Sequence, residues 1–174
     1  MAPMSSIEHI RPPACVAEAE SLRAFLDYHR TTLARKCAGL DDAALREASV
    51  PPSPLTLLGL VRHMTEVERH WFRRVLAGES TAGPLYYSDA DPDGDFSLSE
   101  HDTREAAFAA WEAEVAACRE AARGRSLDDL SAAPRHRGDH VDLRWIYLHM
   151  IEEYARHNGH ADLIRERIDG ATGE

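Results

Sequence analysis

Four stretches of the chain place apolar residues three and four positions apart, which is the period of an amphipathic helix. No stretch shows convincing strand alternation. The predicted helices span residues 16–36, 53–78 and 142–168, together with a third that begins between residues 99 and 105 and ends at 124. Ser53 as N-cap and Pro54 at the first helical position would begin the second helix. The pattern therefore predicts an all-α, up-and-down four-helix bundle, formed as one domain over residues 1–174.

Two polar residues interrupt the apolar face of the fourth predicted helix. At 100° per residue, Glu153 and His157 fall on the same face as Ile146 and Met150, whereas Glu152 points to the opposite side. A buried carboxylate is costly unless it is paired or bound to a cation, and an i, i+4 spacing lets two side chains converge. An intrahelical ion pair and a pair of metal ligands are both compatible with this spacing.

The second predicted helix carries histidines along one edge of its apolar stripe. His63 lies at that edge, His70 lies two turns further along it, and Glu66 points further out. If the second and fourth helices face each other, His63, Glu153 and His157 could form a two-His, one-carboxylate metal site. Zinc, nickel, iron(II) and manganese all accept such ligands. His63 alone is also compatible with a hydrogen-bonded histidine at the core boundary, and His149 and His160 are compatible with outer positions.

The acidic stretch "DADPDGDFSLSE", residues 89–100, has the spacing of an EF-hand calcium loop. The preceding "AGESTAGPLYYS" contains two glycines and a proline, so the entering helix is expected to end about ten residues too early. A turn-rich connection is therefore the preferred interpretation. In that case Asp89, Asp91, Asp93 and Asp95 would be solvated or would cap turns and the third helix.

Composition excludes several classes of partner. The net charge is −10, and no cluster of lysines or arginines suggests binding to nucleic acid or to an anionic membrane. There is no apolar run of 18 residues, and the first 15 residues contain no apolar signal segment, so a cytoplasmic protein is expected. Cys15, Cys37 and Cys118 form no C-x-x-C motif and are expected to be reduced thiols.

The motifs "LTLLGLVRHMTEVERHWF" and "LHMIEEYARHNGHADLIRE" resemble the DinB-like superfamily, which includes mycothiol-dependent maleylpyruvate isomerases and related thiol S-transferases. The resemblance covers nearly the whole chain. It implies a four-helix bundle, a homodimer, and a divalent metal bound by His63 together with the E-x-x-x-H pair Glu153 and His157. Many relatives have His and Gln where this chain has Arg156 and His160, so His160 is a competing ligand candidate.

The resemblance implies a metal, zinc first among the candidates, acting as a Lewis acid on a low-molecular-weight thiol such as mycothiol. The expected partners are therefore this thiol and a small electrophilic substrate. His70 and Tyr154 are candidate catalytic residues that handle protons or position substrate. Arg62, Arg69 and Arg73 could bind a carboxylate of the thiol, and His136 or His140 could reach the site from its loop. The alternative is a non-catalytic, metal-binding structural or stress-associated dimer.

Overall fold

The computed structural model describes residues 8–135 and 138–173, and the secondary structure in these ranges is almost entirely helical. The helices are α1 (Glu18–Cys37), α2 (Asp42–Leu45), α3 (Leu57–Glu68), α4 (Arg104–Ala121) and α5 (Leu143–Asp169). The helix α3 continues without a break into a π-helical segment, Arg69–Leu76. The prediction of an all-α bundle is confirmed: α1 packs mainly on α5, and α3 packs on both α4 and α5.

The helix ends show how far local signals determine structure. The side chains of Thr103 and Asp142 accept hydrogen bonds from the backbone of α4 and α5, respectively, and Gly170 ends α5 in a left-handed conformation. The predicted start of the second helix at Ser53 is wrong. Thr56 is the actual N-cap, because its hydroxyl accepts a hydrogen bond from the Gly59 N–H at 3.0 Å.

The π-helical segment changes which way the second long helix points its side chains. Its hydrogen bonds span five residues, as between the Ala77 N–H and the Phe72 carbonyl at 3.1 Å, and each turn therefore holds more residues than an α-turn. A wheel drawn at 100° per residue consequently fails beyond Glu68. Within one continuous helix, His63 and His70 line one surface pocket whereas Phe72 lines another on a different side.

A buried network of polar groups crosses the bundle beside the apolar core. Glu68 is fully buried, and its two carboxylate oxygens accept hydrogen bonds from Nε and Nη2 of Arg30, each at 2.7 Å. The Tyr154 hydroxyl donates to the same carboxylate at 2.9 Å and accepts a hydrogen bond from Trp111 Nε1 at 2.9 Å. The network joins α1, α3, α4 and α5, so it fixes the register of the four long helices.

The connection between the π-helical segment and α4 folds back against α3. Arg62 donates to the Gly94 carbonyl at 2.8 Å, and its guanidinium lies 4.4 Å from the centre of the Tyr86 ring. A Cβ on Gly94 would lie 2.2 Å from the Tyr86 carbonyl oxygen, so only glycine fits at this close approach. This packing brings Asp95 and Phe96 onto the surface of α3 next to His63.

None of the helices in the described part of the chain has the length and apolar character needed to cross a membrane.

Candidate functional site

Three side chains from two helices converge at the surface between α3 and α5. One ligand atom from each of His63, Glu153 and His157 lies within 4.8 Å of the other two. We call this set the His–Glu–His cluster. Among the described residues, no other set of three histidine, cysteine or acidic side chains lies close enough together to hold a metal ion. The structure thus brings together the three residues predicted from helical spacing.

The His–Glu–His cluster is accessible without being fully solvated. The exposed fractions of the His63, Glu153 and His157 side chains are 22%, 21% and 12%. Oε2 of Glu153 lies 3.6 Å from Nε2 of His157, and its Oε1 lies 3.5 Å from Nε2 of His149. The hydrogen bond from His157 lowers the pKa of Glu153 against the opposing effect of burial, so the carboxylate is charged at neutral pH.

Asp95 positions the first histidine of the cluster. Its Oδ2 lies 2.7 Å from Nδ1 of His63, and the Phe96 ring stacks on the His63 ring with centroids 4.9 Å apart. A carboxylate accepts hydrogen bonds, so this contact places the imidazole proton on Nδ1 and leaves the lone pair on Nε2 available. Asp95 therefore orients His63 in the way that a carboxylate orients a metal-binding histidine.

This role of Asp95 corrects an expectation from the sequence. Asp89, Asp91 and Asp93 are exposed as expected, but Asp95 is buried and contacts His63 instead of being solvated or capping a turn. The entering helix ends at Leu76, well before the acidic stretch, and the stretch forms no metal-sized group of acids within the described ranges. Its geometry gives no support to a calcium site.

A pocket of about 290 Å³ adjoins the cluster. Its lining includes the following side chains: His63, His70, Trp71, Tyr87, Asp95 and Phe96. Two further carboxylates, from Glu66 and Asp93, also line it, so the pocket is acidic. Glu66 was expected to point outward but is buried, because its Oε1 accepts the backbone N–H groups of Leu85 and Tyr86 at 2.6 Å.

The three arginines suggested as ligands for a thiol carboxylate do not line this pocket. Arg62 holds the loop, as described above, and also pairs with Asp102 at 3.0 Å. Arg69 donates to the Gly83 carbonyl, and Arg69 and Arg73 both pair with Glu114. Since none of the three lines the pocket, they offer no guanidinium to an anionic ligand there.

Of the two candidate catalytic residues, the structure places only His70 at the pocket. Tyr154 is fully buried between Glu68 and Trp111, where burial raises the pKa of its hydroxyl well above the usual value. Tyr154 precedes His157 by three positions, but its hydroxyl reaches Glu68 and Trp111, and it does not line the pocket beside His63. Its surroundings are those of a structural residue.

Two further candidate histidines, His149 and His160, lie beside the cluster, and His140 contacts its own loop. Nδ1 of His160 lies 3.4 Å from Nδ1 of His157, on the edge of that ring away from Glu153, and burial lowers the pKa of His160. His149 stacks on Trp145 with ring centroids 4.9 Å apart. Nδ1 of His140 donates to the Ser131 carbonyl at 2.7 Å, and His136 lies outside the described residues.

All three cysteines are free thiols, as predicted. Cys37 and Cys118 are fully buried, and burial raises the pKa of Cys37 to about 12 and that of Cys118 further still. Neither can supply a thiolate at neutral pH. Cys15 is exposed and does not line the pocket beside the cluster.

Comparison with known proteins gives one finding about family. A family model described as Mycothiol-S-transferase matches residues 21–170, from the first turn of α1 to the residue after α5. This family belongs to the DinB-like superfamily, so the resemblance drawn from the two helix motifs is confirmed. No curated protein matches the chain.

Proposed function

Because the chain belongs to the mycothiol S-transferase family, we propose that it binds a divalent metal through the His–Glu–His cluster and transfers mycothiol to a small electrophile. The observation that carries this proposal is the convergence of His63, Glu153 and His157 beside an open pocket. Three protein ligands with free coordination positions are typical of catalytic metal sites, whereas structural zinc sites are closed by four.

The cluster has donors that fit zinc. Two ligands bound 2.1 Å from a tetrahedral zinc ion lie about 3.4 Å apart, and Glu153 Oε2 and His157 Nε2 are 3.6 Å apart. His63 presents Nε2 because Asp95 holds its other nitrogen. Nickel, iron(II) and manganese accept the same donors, so elemental analysis must identify the ion.

The chemistry that a bound divalent metal supplies is Lewis acidity, which lowers the pKa of a coordinated thiol. The chain's own contribution is to hold the reactants. The pocket beside His63 admits a ligand, and Trp71 and Tyr87 offer it apolar contacts. His70 lines the same pocket and is our candidate for moving a proton to or from the electrophile. The buried cysteines cannot form thiolates at neutral pH and Cys15 does not line the pocket, so the reacting thiol comes from a small molecule.

The acidic lining of the pocket predicts which thiols are accepted. Mycothiol carries no carboxylate, whereas glutathione carries two carboxylates and one ammonium, and its net negative charge would enter a pocket lined by Asp93 and Asp95 and by no arginine. We expect conjugation with mycothiol to exceed that with glutathione by at least about tenfold in kcat/KM, because like charges in a pocket are strongly disfavoured. The measurement is conjugate formation, followed by mass spectrometry, for zinc-loaded protein with epoxide, haloalkane and quinone electrophiles.

The control in that experiment is the His70→Gln variant, which should retain the metal and lose turnover. Metal-loaded protein that conjugates neither thiol to any electrophile would leave the metal site intact and refute the transferase. Protein that prefers glutathione would contradict the charge argument.

A second prediction concerns Asp95. Replacing it with asparagine removes the charged acceptor that orients His63, and we expect zinc affinity to fall roughly 10- to 100-fold. Competition with a chromogenic chelator measures this directly. The matched control is Asp93→Asn, which removes the same charge from the same loop at an exposed position. Equal effects of the two substitutions would show that loop charge, not the contact with His63, determines affinity.

We also propose a homodimer in the cytoplasm, on the strength of the superfamily resemblance alone. Light scattering after size-exclusion chromatography tests the oligomeric state.

A further inference from the structure

A second cavity, of about 330 Å³, lies between α1, the C-terminal end of α4, the π-helical segment and α5. It shares no lining residue with the pocket beside His63. Its charged lining consists of four arginines and one aspartate, namely Arg23, Arg30, Arg119, Arg123 and Asp27. We call it the arginine pocket. In a protein of net charge −10, a cavity with this excess of positive charge is a local exception.

The arginine pocket already stabilises a carboxylate. Oδ1 of Asp27 accepts hydrogen bonds from Nη1 of Arg30 at 2.8 Å and from Nη2 of Arg119 at 2.9 Å. Burial raises the pKa of Asp27, but the hydrogen bonds and charges of Arg119 and Arg30 outweigh burial and lower it overall. The local environment therefore favours negative charge. With Glu68, which pairs with Arg30, and Glu120, which pairs with Arg123, three carboxylates face the four arginines, so an excess of one positive charge remains.

One of the arginines is fixed before any ligand arrives. Arg30 is buried, and Glu68 holds its guanidinium through two hydrogen bonds from the opposite side. Glu68 neutralises much of its charge, so Arg30 contributes a fixed hydrogen-bond donor: its Nη1 bonds to Asp27 in the pocket, and a preorganised guanidinium loses little side-chain entropy on binding. Arg23, Arg119 and Arg123 are exposed and can adjust to the shape of a ligand.

The arginine pocket also has an apolar part, in addition to its charged side chains. Phe72 and Tyr147 are buried, and their rings meet edge to face with centroids 5.7 Å apart. Ala122 and the Cys118 side chain complete this wall. Binding sites for small molecules combine such an apolar surface with a few placed polar groups, in cavities of about 300 Å³ and above.

We propose that the arginine pocket binds a small organic anion. Its carboxylate or phosphate monoester lies among Arg23, Arg30 and Arg119, and its apolar part contacts Phe72 and Tyr147. Inorganic phosphate has the charge without the apolar part, and benzyl alcohol has the apolar part without the charge. Neither fits the whole pocket.

The test is isothermal titration of the full-length protein with benzoate, phenyl phosphate, inorganic phosphate and benzyl alcohol. Benzoate or phenyl phosphate should bind at one site per chain, and more tightly than the other two probes. Replacing Arg119 with glutamine should weaken this binding roughly tenfold, since a charged hydrogen bond is lost. Asp27→Asn should tighten it, because a competing carboxylate is removed.

The matched control is Arg144→Gln, which removes an arginine at the N-terminal end of α5 that pairs with Glu18 and Asp128 outside the pocket. It should leave binding unchanged. Repeating the titrations with His157→Ala separates this pocket from the His–Glu–His cluster, and the affinity should be the same. Absence of saturable binding of both organic anions, or equal weakening by Arg119→Gln and Arg144→Gln, would overturn the proposal.

Discussion

Replacing His157 with alanine is expected to abolish stoichiometric metal binding. The cluster would keep only His63 and Glu153, and two ligands are too few for a stable zinc site in a protein. Since the loss of an outer partner of a ligand already costs 10- to 100-fold in affinity, loss of the ligand itself should cost on the order of 100-fold or more. Elemental analysis of purified protein and titration with zinc measure the effect.

The control for this experiment is His101→Ala, because His101 is almost fully exposed and pairs only weakly with Glu100 at 3.8 Å. That variant should keep its full metal content. His157→Ala protein that retains one zinc per chain would refute the assignment of the ligands. It would point to Glu153 and His157 as an ion pair, the alternative that helical spacing left open.

The second large effect is expected in stability. Replacing Arg30 with methionine leaves the fully buried carboxylate of Glu68 with Tyr154 as its remaining side-chain partner. Removing one partner of a buried ion pair typically costs 3–5 kcal/mol, so we expect the free energy of unfolding to fall by about that amount. For a chain of this length this corresponds to a decrease in Tm of roughly 6 to 20 °C, measured by calorimetry.

Two further variants make this stability prediction specific. The double variant Arg30→Met, Glu68→Leu should recover most of the loss, because replacing both charges with apolar side chains removes the uncompensated carboxylate. Arg156→Met removes an exposed ion pair with Glu152 and should change stability by less than about 1 kcal/mol. If the single and double variants lose the same free energy of unfolding, the unpaired charge of Glu68 is not the cause of the destabilisation.

The sequence predicts those parts of the fold and site that depend on one helix at a time. Glu153 and His157 lie one turn apart on α5, so their proximity follows from helical geometry. Asp142 is a good N-cap residue and precedes an uninterrupted amphipathic pattern, and α5 does begin directly after it, at Leu143. His63 joins them because the apolar stripes of the second and fourth helices also determine which faces meet.

Contacts that depend on the folded path of a loop are not readable in this way. Ser53 and Thr56 are both good N-cap residues. The helix begins after Thr56, where its first turn packs against the loop that carries Phe96, and this packing cannot be read from the sequence. Gly59 follows it by three residues, and a Cβ there would lie 3.3 Å from the Phe96 ring. Likewise, four aspartates alternate along residues 89–95, and only the folded path of the loop selects Asp95 for His63.

Buried charges were missed for a related reason. Glu68 is one of 30 acidic residues in the chain, and nothing in its neighbourhood marks it as the partner of Arg30, 38 positions earlier. The prediction that Tyr154 lies on the buried face of α5 is correct, but the buried side chains of α5 contact two different groups of residues. One side carries the His–Glu–His cluster, and another carries the network around Glu68.

The π-helical segment Arg69–Leu76 also bears on how this chain tolerates insertions and deletions. A π-turn holds an additional residue, so deleting one residue there would let the segment relax to an α-helix without breaking it. The residues beyond the deletion would then rotate about the helix axis relative to those before it. His63 would keep its orientation, whereas Phe72 would turn away from the arginine pocket. A one-residue length change in this segment is therefore a simple evolutionary route to altering the arginine pocket, and the His70 and Trp71 lining of the pocket beside His63, while preserving the His–Glu–His cluster.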